Sequence, residues 1–210
     1  MHKAHKALRA MPVCAFLLAG CAVPETSAAL KDTFDSGVTA YDAGDYARAY
    51  KIWRGIDDVD LAAMRNVAMM LRQGQGVARD PKKAEELYQT AAEAGLPTAQ
   101  ADLADMLLKG EAGPPNPKAA LPLLEAASAA NHPVAQYELA QMYETGEDGL
   151  VPKNIQTAKE LYAAAASHGM KEAQARLDLI SPPGNALTQP APNTPPTSVV
   201  DSGGLRPSLP

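Results

Sequence analysis

The chain has 210 residues, of which 19 are lysine or arginine and 24 are aspartate or glutamate, giving a formal net charge of −5. An acidic chain of this kind lacks the basic surface that nucleic acids require, so we expect no nucleic-acid partner. Only 5% of the residues are aromatic, so a core has to be built from small and aliphatic side chains, which favours closely packed helices.

Residues 1–20 have the pattern of a secretory signal peptide. Basic residues precede the apolar run MPVCAFLLAG, which is too short to span a bilayer as a mature helix. The segment ends in LAGC at residues 18–21, which resembles the bacterial lipobox, where a peptidase cuts before the cysteine and the new terminus is lipidated. We therefore interpret 1–20 as a lipoprotein signal peptide and predict that Cys21 carries lipid. Ordinary signal-peptidase cleavage near Gly20 or Ala22 is the alternative.

The lipobox resemblance also implies a location. In lipoproteins of this pattern, a residue other than Asp after the cysteine directs transfer to the outer membrane, and Ala22 occupies that position. The resemblance implies an outer-membrane lipid anchor facing the periplasm, with residues 21–30 as the lipidated N-terminus and a linker. Cys14 lies inside the signal peptide, so the mature chain would hold one cysteine and no intrachain disulfide.

A repeat of about 36 residues occupies the middle of the chain. The dipeptide Ala-Gln recurs at 99–100, 135–136 and 173–174, at separations of 36 and 38 residues. Glycines and Asx residues recur with the same spacing, at Gly74, Gly110 and Gly146, and at Asp80, Asn116 and Asn154. The two extra residues of the last interval fall between a glycine and its Asx residue, and helical repeats tolerate such an insertion in a loop.

Each unit is predicted to contain two helices. The first, helix A, has apolar residues at three- and four-residue spacing, for example Ala63, Val67 and Leu71. A glycine-containing loop follows, and the Asx residue then occupies the N-cap of helix B, twice with a proline at the first helical position. Pro122 falls about six residues into its helix B, where it removes a hydrogen bond, so we expect a local bend or a late helix start.

The joint between units is predicted at stretches such as AAEAGLPTAQ, residues 91–100. Gly95 should end one helix B in a left-handed conformation, and Ala99 should open the buried stripe of the next helix A. Asn131 and Gly169 occupy the position of Gly95 in the other units, and Gly and Asn are the residues that adopt this conformation most readily.

The combined motif resembles the Sel-one-like repeat, a relative of the tetratricopeptide repeat. Residues 61–100 match it closely, including GQGV at 74–77 and the later pairs KA and LY. Residues 99–136 and 135–174 match it more loosely, because the second unit has GPP in the loop and leucine at the aromatic position. The motif is a strong signal for fold and a weak one for function.

The segment before these units looks like a tetratricopeptide hairpin. Residues 33–56 contain GDYARAYKIW, which gives a short turn and places Trp53 at the position of Tyr88. Together the resemblances imply an all-α fold. Over residues 31–180 we expect a right-handed α/α solenoid of about four helix-turn-helix repeats plus a C-terminal capping helix.

Two features invite a functional interpretation but have a structural one. Met70, Met106 and Met142 recur at one repeat position, where core packing is a better interpretation than a metal-binding or peptide-binding ladder. The acidic run at residues 57–60 lacks the spaced oxygens and glycine of a calcium loop. We interpret it as a capping segment for the helix that follows.

Catalytic and metal-binding patterns are not found in the sequence. There is no HExxH, GxSxG or phosphate-binding GxxxxGK[ST] motif. The two histidines outside the leader, His132 and His168, lie in inter-repeat turns at non-equivalent positions. We therefore expect no enzyme activity, no cofactor and no metal site.

Helix A residues line the concave side of the solenoid in proteins that the chain resembles, and such a groove binds segments of other proteins. The non-core positions of helix A vary from unit to unit while the core repeats, so we predict that they encode partner specificity. These candidate residues are Arg65, Asn66, Met69 and Arg72 in one unit, Asp102, Asp105 and Lys109 in the next, and Tyr137, Glu138 and Gln141 in the third.

The last segment, residues 181–210, has eight prolines, few charges and no periodicity. We expect a disordered, proline-rich tail. The hypothesis for the whole chain is a lipid-anchored periplasmic scaffold that binds envelope proteins in assembly, export or signalling. A secreted or surface-displayed host-interaction factor is the alternative, and an enzyme is the third possibility.

Overall fold

A computed structural model describes residues 23–147 and 149–181. The predicted signal peptide, Cys21 and most of the proline-rich tail, residues 182–210, lie outside these ranges, so the structure does not address the predictions for them. The described residues form nine α-helices, joined by short turns: α1 (Val23–Asp42), α2 (Tyr46–Arg54), α3 (Leu61–Gln73), α4 (Pro81–Glu93), α5 (Pro97–Lys109), α6 (Pro117–Ala129), α7 (Pro133–Thr145), α8 (Ile155–Ser167) and α9 (Lys171–Ile180).

The helices pair in chain order. Four hairpins, α1/α2, α3/α4, α5/α6 and α7/α8, stack one after another, and α9 packs on the last. Each helix contacts mainly its neighbours in sequence, as expected for a solenoid. The prediction of an all-α solenoid of about four helical repeats with a C-terminal capping helix is therefore confirmed.

Two local predictions are changed by the structure. Residues 23–30, expected to form a linker, belong to α1, which begins at Val23. Of the two outcomes expected at Pro122, the late helix start is not observed, because α6 begins at Pro117 and continues through Pro122, and the local bend stays a prediction. The hydrogen bond that Pro122 cannot donate would go to the carbonyl of Lys118 four residues earlier. Both residues are exposed, so water can serve that carbonyl instead.

The B helices begin at the predicted N-caps. The side chains of Asp80 and Asn116 accept hydrogen bonds from the backbone N–H groups of Lys83 and Ala119, at 3.0 and 3.1 Å. Asn154 caps α8 in the same way. These side chains satisfy backbone donors that a helix leaves unpaired at its N-terminus. In the acidic run, Asp60 caps α3 by accepting from Ala63 at 2.8 Å, which confirms the capping interpretation.

The joints between repeats have the predicted geometry. Gly95, Asn131 and Gly169 have φ values of +87°, +61° and +86°, in the left-handed region. The N–H of Leu96 bonds to the carbonyl of Ala91 at 3.1 Å, which closes the end of α4 as in a Schellman motif. The chain therefore reverses direction through the same type of tight turn at each of the three joints.

The core runs along the stack as three contiguous clusters of buried side chains. Met70, Met106 and Met142 are 0, 1 and 5% exposed, which confirms that this repeated position is core. Trp53 and Tyr88 are 2 and 1% exposed, so the aromatic position of the first hairpin is filled as in the next one. Many remaining core residues are alanines, which lets the helices approach closely.

Candidate protein-binding surface

The ten candidate binding residues lie on the first helices of three successive hairpins, α3, α5 and α7. We call the surface that they form the A-helix face. Eight of the ten are half-buried, and Lys109 and Gln141 are exposed. On the side opposite this face, α3, α5 and α7 bury apolar residues in the close-packed core. This packing holds the backbone under the A-helix face in place.

Arg65 and Asp102 join α3 to α5 across this face. The Arg65 Nε donates to Asp102 Oδ2 at 2.5 Å, and the two side chains are only 30 and 24% exposed. Burial alone would lower the pKa of Arg65, but the hydrogen bond and charge of Asp102 raise it overall. The pair stabilises the stacking of two repeats, and both side chains are already engaged in the free protein.

Arg72 binds two carboxylates about two turns further along α3. Its Nη2 donates to Asp105 Oδ2 at 2.5 Å, and its Nε donates to Glu111 Oε2 at 2.9 Å. Lys109 Nζ contacts the other oxygen of Asp105 at 2.7 Å. The hydrogen bond from Arg72 lowers the pKa of Glu111, and although burial opposes ionisation of Asp105, Lys109 and Arg72 lower its pKa. All four side chains are charged and engaged at neutral pH.

Glu138 differs from these residues. It lies on α7, next to the paired carboxylates of α5, and its Oε2 atom is buried without a hydrogen-bond partner. No ion pair to Glu138 is found among the described residues. Burial, followed by the negative charges of Asp105 and Asp102, raises the pKa of Glu138 to about 7, against the opposing effect of nearby Lys109 and Arg72.

The neighbours of Glu138 on α7 complete the third part of the face. The ring of Tyr137 lies with its centroid 5.4 Å from that of Tyr162 on α8. Gln141 Nε2 lies 3.4 Å from the hydroxyl of Tyr137. Asn66 and Met69 remain half-buried on α3, and Met69 packs against the first core cluster. Binding of a partner by any of these residues stays a prediction.

Sequence reasoning missed several polar residues of this surface. Glu111, in the turn after α5, is a main partner of Arg72. On the last hairpin, Glu144 accepts hydrogen bonds from Tyr162 and from Arg176 of α9, each at 2.8 Å. The repeat spacing contained a signal for the second group, because Glu144 lies two repeats after Arg72 and both residues pair with the next A helix.

Other kinds of site find little support in the part of the chain that the structure describes. Within residues 23–147 and 149–181, no group of three or more His, Cys, Asp or Glu side chains is arranged to hold a metal ion. His132 caps α7, with its Nδ1 accepting from Ala135 N–H at 3.5 Å, and burial lowers its pKa. None of the described helices combines the length and apolarity needed to cross a bilayer.

The Sel1 repeat family model matches residues 61–96, 97–132 and 133–170, which correspond to the hairpins α3/α4, α5/α6 and α7/α8. The chain belongs to the Sel1 repeat family. Sel1 repeat proteins generally mediate protein–protein interactions, and the scaffold is typically non-catalytic. The family resemblance seen in the sequence is therefore confirmed, whereas the lipoprotein character stays a prediction.

Two crystal structures illustrate the likeness. A Sel1 repeat protein from Oxalobacter formigenes is 33% identical, with a TM-score of 0.65, over 70% of this chain and 59% of the other. A protective antigen present in uropathogenic Escherichia coli strains, which has the Sel1-like fold, is 28% identical, with a TM-score of 0.66, over 72% of this chain and 33% of the antigen. The Sel1 repeat chain thus spans about 59% and 33% of the lengths of these relatives. No curated protein matches it.

Proposed function

We propose that this Sel1 repeat protein is a lipid-anchored scaffold whose A-helix face binds a protein partner of the cell envelope. The observation that carries the proposal is the arrangement of α3, α5 and α7, whose buried positions repeat while their exposed positions differ from one repeat to the next. A uniform core with a varied surface is what a recognition scaffold needs, because specificity can change without a change of fold.

The ion pairs divide the A-helix face into a supporting part and a receiving part. Between α3 and α5 the charged side chains bind each other, which fixes the angle between two repeats before any partner arrives. On α7, Tyr137, Glu138 and Gln141 form no ion pair across repeats among the described residues. A preorganised surface of this kind loses less conformational freedom on binding, which favours affinity. The proposal therefore places direct partner contacts mainly on α7.

The anchor belongs to the same proposal and is supported by the sequence LAGC. With lipid on Cys21, the start of α1 at Val23 would lie within about 7 Å of the anchored residue along an extended chain. The N-terminal hairpin would then sit at the membrane surface. We propose the outer membrane, with the solenoid facing the periplasm, as the location. Palmitate labelling that depends on Cys21 is the expected result, and labelling that persists in Cys21→Ala would contradict the anchor.

Photo-crosslinking in living cells tests the scaffold. The crosslinker benzoylphenylalanine is placed in the full chain at Gln141 on α7 and, in a second variant, at Met69 on α3. The matched control carries it at Gln89, an exposed position on α4. We expect a discrete crosslinked product at Gln141 that is absent at Gln89 and whose partner is identified by mass spectrometry. Equal products at both positions, or none at Gln141 and at Met69, would overturn a binding role for the A-helix face.

The second candidate is a surface-displayed factor that acts on a host. The observation favouring it is the likeness to the Escherichia coli protective antigen, which shares the fold at 28% identity. Protease treatment of intact cells separates the two, because a surface-displayed chain is digested and a periplasmic one is protected until the outer membrane is opened. An enzyme is the third candidate, and the sequence offers no nucleophile and base for it.

A further inference from the structure

The A-helix face has one carboxyl group that the solenoid leaves without a partner. Asp102 is paired with Arg65, and Asp105 with Arg72 and Lys109. Two nearby carboxyls outside α5 also form ion pairs. Glu111 binds Arg72 and lies 3.9 Å from Arg79, and Glu144 binds Arg176. Glu138 lies among these groups and has no ion pair or hydrogen bond among the described residues.

An unsatisfied carboxylate in this position is costly for the free protein. The Oε2 atom of Glu138 is buried with no donor, and a buried acceptor without a partner costs about 1–3 kcal/mol. The residue as a whole is half-buried, and of its two carboxyl oxygens only Oε2 is among the buried atoms without a partner. Unsatisfied buried polar groups are rare in folded proteins and require a specific explanation.

The charged groups around Glu138 are two anions and two cations, so an ionised Glu138 would add a negative charge that none of them compensates. Asp105 and Asp102 of α5 disfavour its ionisation, while Lys109 of α5 and Arg72 of α3 favour it. Both cations are already hydrogen-bonded to Asp105. On α8, the hydroxyl of Tyr162 is used by Glu144, so it does not serve Glu138. A cation from a partner would supply the missing hydrogen-bond donor and a positive charge. Because the negative charge of a carboxylate is shared between its two oxygens, the cation can act through either oxygen.

We infer that Glu138, with Tyr137 and Gln141 beside it on α7, forms a subsite for one arginine or lysine side chain of the bound protein segment. This inference rests on the proposed function and specifies the chemistry of its partner. A guanidinium or ammonium group would pair with the Glu138 carboxylate and reach the Gln141 amide oxygen, while its alkyl stem lies near the Tyr137 ring. The subsite predicts partners with a basic residue at the centre of the docking segment.

Binding of a cation at Glu138 should depend on pH, whereas a contact with a non-titrating surface residue should not. The pKa of Glu138 is about 7 in the free protein, so a cation that binds the ionised form must displace a proton near neutral pH. The affinity for a cation should therefore be about tenfold lower at pH 6 than at pH 8, and the bound cation should lower the pKa of Glu138.

The test uses blocked amino acids as probes for the full chain. N-acetyl-arginine amide and N-acetyl-lysine amide are titrated against protein with ¹³C-labelled glutamate carboxyls, and N-acetyl-citrulline amide serves as the uncharged analogue of arginine. The Glu138 signal is assigned by its loss in Glu138→Gln. We expect a saturable shift of this signal with the cationic probes, a millimolar dissociation constant and at least tenfold weaker binding of citrulline.

Variants separate the subsite from folding and from the general scaffold role. In Glu138→Gln, none of the remaining glutamate signals should shift saturably with the cationic probes, and the helical circular dichroism should be kept. In Glu125→Gln, which removes an exposed carboxyl on α6, the Glu138 signal should shift as in the parent. No saturable shift, or equal binding of citrulline, would overturn the subsite. If the subsite fails but crosslinking at Gln141 still captures a partner, the scaffold function stands. A loss of the crosslinks at both Gln141 and Met69 as well would overturn both proposals.

Discussion

Arg65 of α3 binds Asp102 of α5 through a 2.5 Å contact between Nε and Oδ2, at the same level of two successive repeats. Both side chains are more than two-thirds buried, so the pair is less screened by solvent than an exposed ion pair. The two residues are 37 positions apart in the chain and lie on helices of different hairpins. The pair therefore stabilises the stacking of repeats rather than a single hairpin.

The first prediction concerns this pair. Arg65→Ala and Asp102→Ala should each lower the free energy of unfolding by about 1 kcal/mol, with a coupling energy of about 0.5–1 kcal/mol in a double-mutant cycle. The exchange Arg65→Asp with Asp102→Arg should recover part of the loss. Urea unfolding followed by circular dichroism measures the four proteins of the cycle and the exchanged variant. Strictly additive losses would show that the pair does not couple the two repeats.

The residues of this pair also show what sequence could and could not predict. The repeat motif predicted the buried position of Met70 and the cap at Asp80, because each depends on local sequence within one helix or one turn. It predicted Arg65 and Asp102 as candidate partner-binding residues, but it did not predict that they bind each other. Their pairing depends on the distance between two helices and on the rotamers of long side chains, which the pattern of apolar residues does not encode.

The N-terminal error has a comparable physical cause. Residues 22–30 contain proline, serine and threonine, a composition typical of a linker. Pro24 lies in the first turn of α1, where a missing N–H costs little, and the residues after it include Ala28, Ala29 and Leu30, which favour helix. Helix and linker are thus both compatible with this composition. In the structure these residues are helical because they continue directly into the part of α1 in which Phe34 and Val38 pack against the core.

The second prediction concerns the pH dependence caused by Glu138. Its folded pKa of about 7 lies above the ordinary value of 4.5, so the folded protein keeps this proton between those pH values while the unfolded chain loses it. The contribution of Glu138 to the free energy of unfolding therefore falls as the pH rises from about 4.5 to 7, and is constant above. Glu138→Gln should remove this loss and stabilise the protein by roughly 1–3 kcal/mol at pH 8.

The comparison of the two proteins across pH isolates this group from the other titrating residues. Melting temperatures of parent and Glu138→Gln should differ most at pH 8 and converge towards pH 5. Glu125→Gln, which removes an exposed carboxyl on α6, is the matched control for the substitution itself. A stability difference that is the same at pH 5 and pH 8 would mean that Glu138 keeps an ordinary pKa in the folded protein.

The third prediction concerns the joint between repeats at Gly95. Its φ of +87° is unfavourable for other L residues, and an added Cβ would meet no atom within 4 Å. Gly95→Val should therefore cost at least about 1 kcal/mol through backbone strain alone. Gly113 also has open space around an added Cβ but no positive φ, so Gly113→Ala should be neutral or slightly stabilising. Equal melting temperatures for Gly95→Val and the parent would refute the strained joint.

The fourth prediction concerns the attachment of α9, the capping helix. Glu144 accepts hydrogen bonds from the buried Tyr162 and from Arg176 of α9, so one carboxylate links three helices. Tyr162→Phe removes one hydrogen-bond donor and should lower the free energy of unfolding by about 1 kcal/mol. Arg176→Ala should mainly loosen the attachment of α9, because Arg176 is 43% exposed and, among the described helices, forms an ion pair with α7 alone.

Hydrogen exchange distinguishes the two effects. Arg176→Ala should increase amide exchange within α9 and leave α7 and α8 protected, since local opening at the end of a solenoid does not require unfolding of inner repeats. Tyr162→Phe should increase exchange in α8 as well, because the hydroxyl bonds to Glu144 from within that helix. If Arg176→Ala left α9 exchange unchanged, the helix would be held by Ala173 and the apolar residues around it alone. The ion pair would then contribute nothing to capping, as is common for exposed pairs.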